Sequence, residues 1–337
     1  MNMRDVFIIA DNIYSPLGIN AEANFEQLTR LVSGIKKHED KNVCDQPFFA
    51  ALFDKSGSVL KNGSTENYTK FEQLLMASAG DALQHCSVDP RDKNTVLIIS
   101  TTKGNIGLLE TEVADHHLKE RISLYTSAKM VAGHFNFVNK PVVISNACIS
   151  GLLALIIGMR MIQSGQYENA VITGADLISK FILSGFKSFQ AISDEPCKPF
   201  DASRNGISLG EGAATIILSA KKKNENDIKI TGGAVSNDAN HISGPSRTGE
   251  ELHQAIDKTL NDAGLSAADI DYISAHGTAT IYNDEMEAKA ITMAKLHQVP
   301  VNSLKGFYGH TLGAAGLIES VVTVHSMKKN LILPTLG

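Results

Sequence analysis

Cysteine is scarce in this chain. Four residues, Cys44, Cys86, Cys148 and Cys197, stand far apart in 337, and no two share C-x-x-C spacing. That spacing excludes the common zinc and thiol–disulfide motifs and predicts free thiols in a reducing compartment, with no bound metal. Long apolar runs are also missing: none approaches the ~20 residues of a membrane helix. The N-terminus, MNMRDVFIIADN, is too briefly apolar for a secretory signal and soon meets Asp11. A cytoplasmic location is therefore expected, and the sequons beginning at Asn62 and Asn67 carry no weight. A basic excess is absent as well. The net charge is -5, so no nucleic-acid-binding face is expected. No repeat of solenoid length occurs.

What remains is a chain with 43% hydrophobic and 20% charged residues, enough apolar material for a sizeable core. Its length suits one large domain or two ordinary ones. Short β-branched runs at 6–10, 96–100, 142–145, 170–173, 214–218, 228–232, 270–275 and 299–303 read as strands. Helical patterns cover 22–33, 68–84, 150–164, 250–263, 284–297 and 314–328. The alternation predicts an α/β protein with buried sheets. Residues 36–63 are polar and irregular, and read as a surface insertion. The polar break at 221–227 is the candidate junction between two halves, 1–220 and 221–337. The stretch 141–162 reads as strand, tight turn and apolar helix, and 300–322 repeats that plan with a longer turn.

Each of those two segments places a reactive side chain near a helix start. Cys148 lies in ISNACISG, ahead of a helix that is apolar nearly all round and so should be buried. A helix N-terminus offers free N–H groups and partial positive charge, which lowers a thiol's pKa and can hold a developing oxyanion. A free cysteine is more often a small core residue, so the setting alone leaves the two readings level. His276 closes a strand before a Gly/Thr loop. Lys305 and His310 sit among Gly309, Gly313 and Gly316, and Glu319 stands in an otherwise apolar helix where it needs a partner such as a lysine. Each is weak alone. The remaining histidines have no comparable setting.

Together these motifs resemble the β-ketoacyl synthases of the fatty acid and polyketide pathways, within the thiolase-fold superfamily. NACISG is similar to the family's active-site cysteine turn. KPFDASRNGISLGEGAA resembles R-P-F-D-x-x-R-D-G-F-x-x-G-E-G-A, and SNDANHISGP resembles S-x-D-A-x-H-x-x-x-P. HGTAT resembles H-G-T-S-T, and Lys305 with GHTLGAAGLIE resembles the family's lysine and G-H-x-x-G-A-A-G-x-x-E element. The resemblance runs from Val6 to the last residues. It implies an α/β thiolase-like fold, with two related halves in an α-β-α-β-α layering and the second half incomplete. It implies Cys148 as nucleophile, His276 and His310 as the pair that binds the malonyl thioester carbonyl, and Lys305 with Glu319 as a supporting charged pair. Thr278 and Thr280 would contact the pantetheine arm, and Phe186 and Phe189 would line the acyl pocket. Asp201, Arg204, Glu211, Asp238 and His241 are read as structural.

A Cys-His-His set looks like the elongating class. The implied activity is decarboxylative condensation of an acyl thioester with a malonyl thioester, without a cofactor. The implied partners are acyl carrier protein and a second synthase chain, in a homodimer or heterodimer. The family's G-F-G-G-T-N loop, source of a second oxyanion-hole amide and a pocket-gating residue, is not found in this sequence. Lys129 and Ala279 are milder departures. Two other readings compete: a chain-length-factor-like partner with little or no catalysis, and another thiolase-fold enzyme or Cys-His hydrolase. Retention of Cys148, His276, Lys305 and His310 speaks against a pure scaffold.

Overall fold

The computed structural model of the chain describes residues 4–54, 67–238, 244 and 246–337. Asn62, His241 and the end of the 36–63 stretch lie outside the described residues. Numbered along the chain, the strands are β1 (Val6–Tyr14), β2 (Lys36–His38), β3 (Phe48–Ala51), β4 (Thr95–Ser100), β5 (Val142–Ile144), β6 (Asn169–Asp176), β7 (Leu209–Gly210), β8 (Gly212–Ser219), β9 (Ile228–Ile230), β10 (Ile273–Ser274) and β11 (Val301–Asn302). The helices are α1 (Ala21–Thr29), α2 (Lys70–Gln84), α3 (His116–Arg121), α4 (Leu124–Phe135), α5 (Ser150–Gln163), α6 (Lys180–Ser188), α7 (Glu250–Ala263), α8 (Ile281–Met293), α9 (Lys305–Tyr308) and α10 (Ala315–Lys329).

Six strands form the main sheet in the order β5-β4-β6-β8-β1-β9. The first three run parallel, and β8 is antiparallel to both its neighbours. Every residue of β4 and β8 is buried, as expected of strands covered on both faces. Alternate residues of one strand serve opposite faces. Leu97 and Ile99 pack with Phe71, Leu74 and Leu75 of α2 and with α4. Val96 and Ile98 face the other way, onto Ala154 and Met159 of α5 and Leu317 and Val321 of α10. Beyond those two helices lies the parallel pair β10–β11, and beyond it α7 and α8, packed through Ile256, Ile273, Ile291 and Leu296. The layering is α-β-α-β-α, a thiolase-like fold.

Three expectations need correction. The 36–63 stretch is not merely a surface insertion. It contains β2 and β3, and β3 is largely buried and runs parallel to β7. The strand belongs to a short apolar run, FFAALF at 48–53, set inside an otherwise polar stretch. The strand read over 270–275 shrinks to two residues, because among the described residues only β11 pairs with it. Apolar α5 is not wholly buried: Ile149 just before it is 40% exposed, and Leu152 within it 45%. The 221–227 break is an exposed turn, yet β9 beyond it joins the first half's sheet beside β1.

Candidate active site

β5 delivers the chain to a sharp turn in which Ala147 adopts φ 47°, a left-handed value uncommon for a residue with a side chain. Buried Ser150 locks that turn. Its Oγ accepts the Asn146 N–H (2.8 Å) and donates to the Ala147 carbonyl (2.6 Å). Cys148 sits at the tip, just before α5, whose start has no side-chain cap. The expected fall in thiol pKa is not what the packing favours. Burial raises the Cys148 pKa, and the Lys305 charge offsets this only in part. The sulfur is partly accessible yet densely surrounded.

Two glycines bring the second half to this turn. A Cβ built on Gly316 would lie 2.7 Å from the Leu152 nitrogen, and one on Gly151 would lie 2.9 Å from the Leu317 nitrogen. α5 and α10 therefore meet backbone to backbone, a spacing only glycine permits. The loop before α10 carries His310, which is 5% exposed. Its backbone bridges to β7: the His310 N–H donates to the Ser208 carbonyl (2.7 Å), and the Gly210 N–H donates to the His310 carbonyl (3.0 Å). A Cβ at Gly210 would come within 1.9 Å of the Tyr308 carbonyl oxygen, so the SLGEG segment must be this lean. The Leu312 N–H donates to His310 Nδ1 at 3.0 Å. That bond makes Nδ1 an acceptor and leaves the ring proton on Nε2.

His276 follows β10. Glu287 of α8 accepts its N–H (2.7 Å) and that of Gly277 (2.8 Å), while Asp284 accepts the N–H groups of Thr278 (2.9 Å) and Phe200 (2.8 Å). Lys305 Nζ lies 3.3 Å from His276 Nδ1, donates to the His276 carbonyl (2.9 Å) and pairs with Glu319. A lysine ammonium can only donate, so His276 Nδ1 is also an acceptor and its Nε2 also carries the proton. Burial raises the Glu319 pKa, and Lys305 counters it. Both imidazoles are held neutral. Burial, then Lys305, then His310 push the His276 pKa well below its usual value, and burial followed by Lys305 pushes His310 down to about 3.

Cys148 Sγ, a nitrogen of His276 and a nitrogen of His310 all lie within 4.8 Å of one another. The two rings stand edge to face, with centroids 5.1 Å apart. By distance alone this set could ligate a metal. Its hydrogen bonds suit donation instead: a metal on His310 Nε2 would force the ring proton onto Nδ1, against the Leu312 N–H. Two neutral N–H donors beside a thiol can hold an oxygen on which negative charge develops while the sulfur carries an acyl group.

Thr278 and Thr280 share a hydroxyl hydrogen bond (2.9 Å) in the His276 loop. Phe186 lies 6.4 Å from the His310 ring, centroid to centroid. Phe189, read with Phe186 as lining the acyl pocket, lies at the end of the same helix. It is the C-cap residue of α6 and is 65% exposed. Glu211 bonds the N–H groups of Phe53 and Ile178, and Arg204 bonds the Asp201 and Ile281 carbonyls, so both are structural as read. Sequence reasoning passed over Asp284, Glu287 and Asp176. The first two stand three apart on α8 and so share a face, from which both reach back to the N–H groups of the preceding loop. Asp176 gives no local signal. A cavity of 580 Å³ lined by Tyr68, Leu108, Arg121 and Met130 includes no member of the cluster.

The family model described as beta-ketoacyl synthase, N-terminal domain, matches residues 3–224, and its C-terminal counterpart matches 228–337. The chain belongs to the β-ketoacyl synthase family. A putative mitochondrial 3-oxoacyl-[acyl-carrier-protein] synthase of Schizosaccharomyces pombe is 31% identical over 93% of this chain and 79% of the relative. The 3-oxoacyl-[acyl-carrier-protein] synthase 2 of Vibrio cholerae is 29% identical over 100% of this chain and 89% of its own. Among solved structures, a ketosynthase in complex with its chain length factor from Xenorhabdus doucetiae superposes with TM-score 0.85 at 26% identity, covering 98% of this chain and 86% of that one. A beta-ketoacyl synthase from Burkholderia phymatum gives TM-score 0.88 at 25% identity, covering 99% and 88%. The β-ketoacyl synthase described here is accordingly an acyl-transferring condensing enzyme. Among its described residues no helix is long and apolar enough to cross a membrane.

Proposed function

We propose that this chain is a catalytically competent, elongating synthase that draws acyl and malonyl groups from acyl carrier protein. The convergence of Cys148 with the imidazoles of His276 and His310 from the far half, each with its Nδ1 already facing a donor, carries the proposal. An acyl-carrier thioester binds with Thr278 and Thr280 along its pantetheine arm. Cys148 sulfur attacks the carbonyl, the carrier thiol leaves with the proton, and the acyl group stays on the enzyme. Malonyl-carrier follows. The electron pair of the carboxylate-bearing C–C bond moves toward the thioester oxygen as carbon dioxide leaves, and the donors of His276 and His310 hold that oxygen. The resulting carbanion attacks the acyl-Cys148 carbonyl and releases the sulfur as the β-ketoacyl product forms. Neutral donors suit this step, since a buried cationic imidazole would be costly.

Lys305 and Glu319 act on the set rather than on substrate. Lys305 keeps His276 Nδ1 unprotonated, and Glu319 balances its charge. A second chain completes the assembly in this reading. β5 is an edge strand of apolar residues, and Ile149 and Leu152 lie exposed close to Cys148, a surface that invites a covering partner. The Xenorhabdus ketosynthase pairs with a chain length factor, and a homologous heterodimer fits the present chain as well as a homodimer does. A scaffold role alone would have no chemical need of Cys148. The four free cysteines fit a reducing, cytoplasmic setting.

The test is transfer of a labelled acyl group from carrier protein, followed by malonyl-dependent carbon–carbon bond formation, for the chain alone and with a related chain added. Cys148→Ala should abolish both. A covalent acyl-enzyme formed by Cys148→Ala would refute the nucleophile assignment, and release of free acid without malonyl dependence would point to a hydrolase.

A further inference from the structure

Asp176 ends β6, is fully buried, and pairs with no lysine or arginine among the described residues. A carboxylate in that position needs hydrogen bonds in place of a counterion. Its oxygens accept from Thr101 Oγ1 (2.7 Å), the Thr102 N–H (2.9 Å), Thr102 Oγ1 (3.0 Å) and the Lys103 N–H (3.3 Å), all on the loop leaving β4. One further donor comes from the other half of the chain: the Gly313 N–H, at 2.7 Å.

Gly313 follows Leu312, whose φ of 53° is left-handed, a costly state for a leucine that persists only when its surroundings impose it. The preceding N–H, that of Leu312, is the one seated on His310 Nδ1. Ser100 Oγ donates to the Gly313 carbonyl at 3.2 Å, so the residue is held at both its ends. Freed of the Asp176 contact, Leu312 can relax to negative φ and carry its N–H off the ring. His310 Nδ1 is then open to a proton, and Nε2 is free to turn from donor to acceptor.

We propose that Asp176 is a positioning residue that fixes the Nε2–H tautomer of His310 through the Gly313 N–H and the strained Leu312 peptide. The same carboxylate ties this loop to Thr101, whose N–H donates to the Ile144 carbonyl at the end of β5 (3.2 Å). One buried carboxyl group thus sets the register between the histidine loop and the strand that delivers Cys148. This deepens the condensing-enzyme reading and rests on it for its catalytic consequence.

The experiment uses the whole chain with ¹⁵N-labelled histidine, His310 being assigned by its loss in His310→Gln. In the wild type the His310 shifts should report a bare Nδ1 and a protonated Nε2 at neutral pH. Asp176→Asn places an amide N–H₂ among donors and should populate the Nδ1–H form. Condensation should fall about 10²-fold, the usual loss for one oxyanion donor, while acyl transfer to Cys148 changes only a few-fold. Thr102→Val removes a different donor to Asp176, leaves the Gly313 contact, and should leave the His310 shifts in place. Unmoved His310 shifts in Asp176→Asn overturn the proposal, as does an equal change in Thr102→Val, which would indicate general loosening. If Asp176→Asn does not fold, Asp176→Glu serves: condensation lost with the tautomer intact overturns the idea equally. A wild-type chain that forms no β-ketoacyl product would sink the functional reading and leave the tautomer measurement standing by itself.

Discussion

The contact between α5 and α10 can be opened by a single methyl group. In Gly316→Ala the new Cβ would stand 2.7 Å from the Leu152 nitrogen, 3.0 Å from its Cβ and 3.3 Å from its Cα. Ordinary contacts need about 3.5–4.0 Å, so the helices must part by about 1 Å, because the nearest atom is backbone and cannot rotate away. Overpacking of this kind destabilises by about 1–3 kcal/mol. Helix propensity works the other way, since alanine is favoured over glycine by about 1 kcal/mol. Gly133→Ala in α4, where the added Cβ meets nothing within 4 Å, gains that propensity without the clash. The difference in unfolding free energy between the two variants, from urea titration, should therefore be the clash itself. Turnover should suffer more than stability. Cys148 precedes α5 and His310 precedes α10, so parting the helices lengthens the sulfur-to-imidazole distance, and a misplacement of about 1 Å typically costs about 10² in rate. Acyl transfer to Cys148, which needs only the α5 side, should be less affected than condensation. Equal stability and equal condensation rates in the two variants would refute the argument that the glycine contact sets the site's geometry.

Three further outcomes are expected. Because the folded His310 pKa lies at about 3 and the unfolded one near 6.5, the unfolded chain binds the extra proton first as pH falls. Stability contributed by neutral His310 is present above pH 6.5 and declines below it, by about 2 kcal/mol at pH 5. His310→Gln should flatten the fall in unfolding free energy between pH 7 and 5 by that amount; an unchanged slope would contradict the burial argument. Lys305→Met leaves Glu319 as an unpaired buried acid and should destabilise by about 3–5 kcal/mol, whereas Lys305→Met with Glu319→Leu should recover most of the loss in a thermal melt without restoring condensation. Full stability in the single variant would mean the pair is not coupled. Glu287→Gln turns an amide N–H₂ toward an N–H that now has an acceptor, at about 1–3 kcal/mol, and should lower the condensation rate by displacing His276; kinetics unchanged beside a measurable stability loss would detach Glu287 from the site.

Cys148, His276, Lys305, His310 and Glu319 were legible before any coordinates, because each lies in a short motif whose glycines, hydroxyls and helix starts are local features. The central strands were legible for a similar reason: runs such as 214–218 are apolar and β-branched and needed only lengthening to β8. β2, β3 and β7 were not, since a short strand owes its existence to a partner far along the chain, as β3 does to β7. Phe186 and Phe189 show the same limit. They are three residues apart on or at the end of one helix, and packing alone decided that one approaches His310 while the other meets solvent.

By itself the amino-acid sequence determined which chemistry is at hand: one thiol before an apolar helix, two imidazoles among small residues, and a lysine with an acid near enough along the chain to neutralise it. The tertiary structure decided the protonation and direction of those groups. Burial pushes the Cys148 pKa up and both imidazole pKa values down, against the lowered thiol pKa that a helix start suggests; at the sulfur, desolvation outweighs the Lys305 charge. The donor edges of the rings depend on the Leu312 N–H and on Lys305 Nζ. The first is held in place by a carboxylate, Asp176, 134 to 137 residues away in the chain, a separation across which no local pattern can be read.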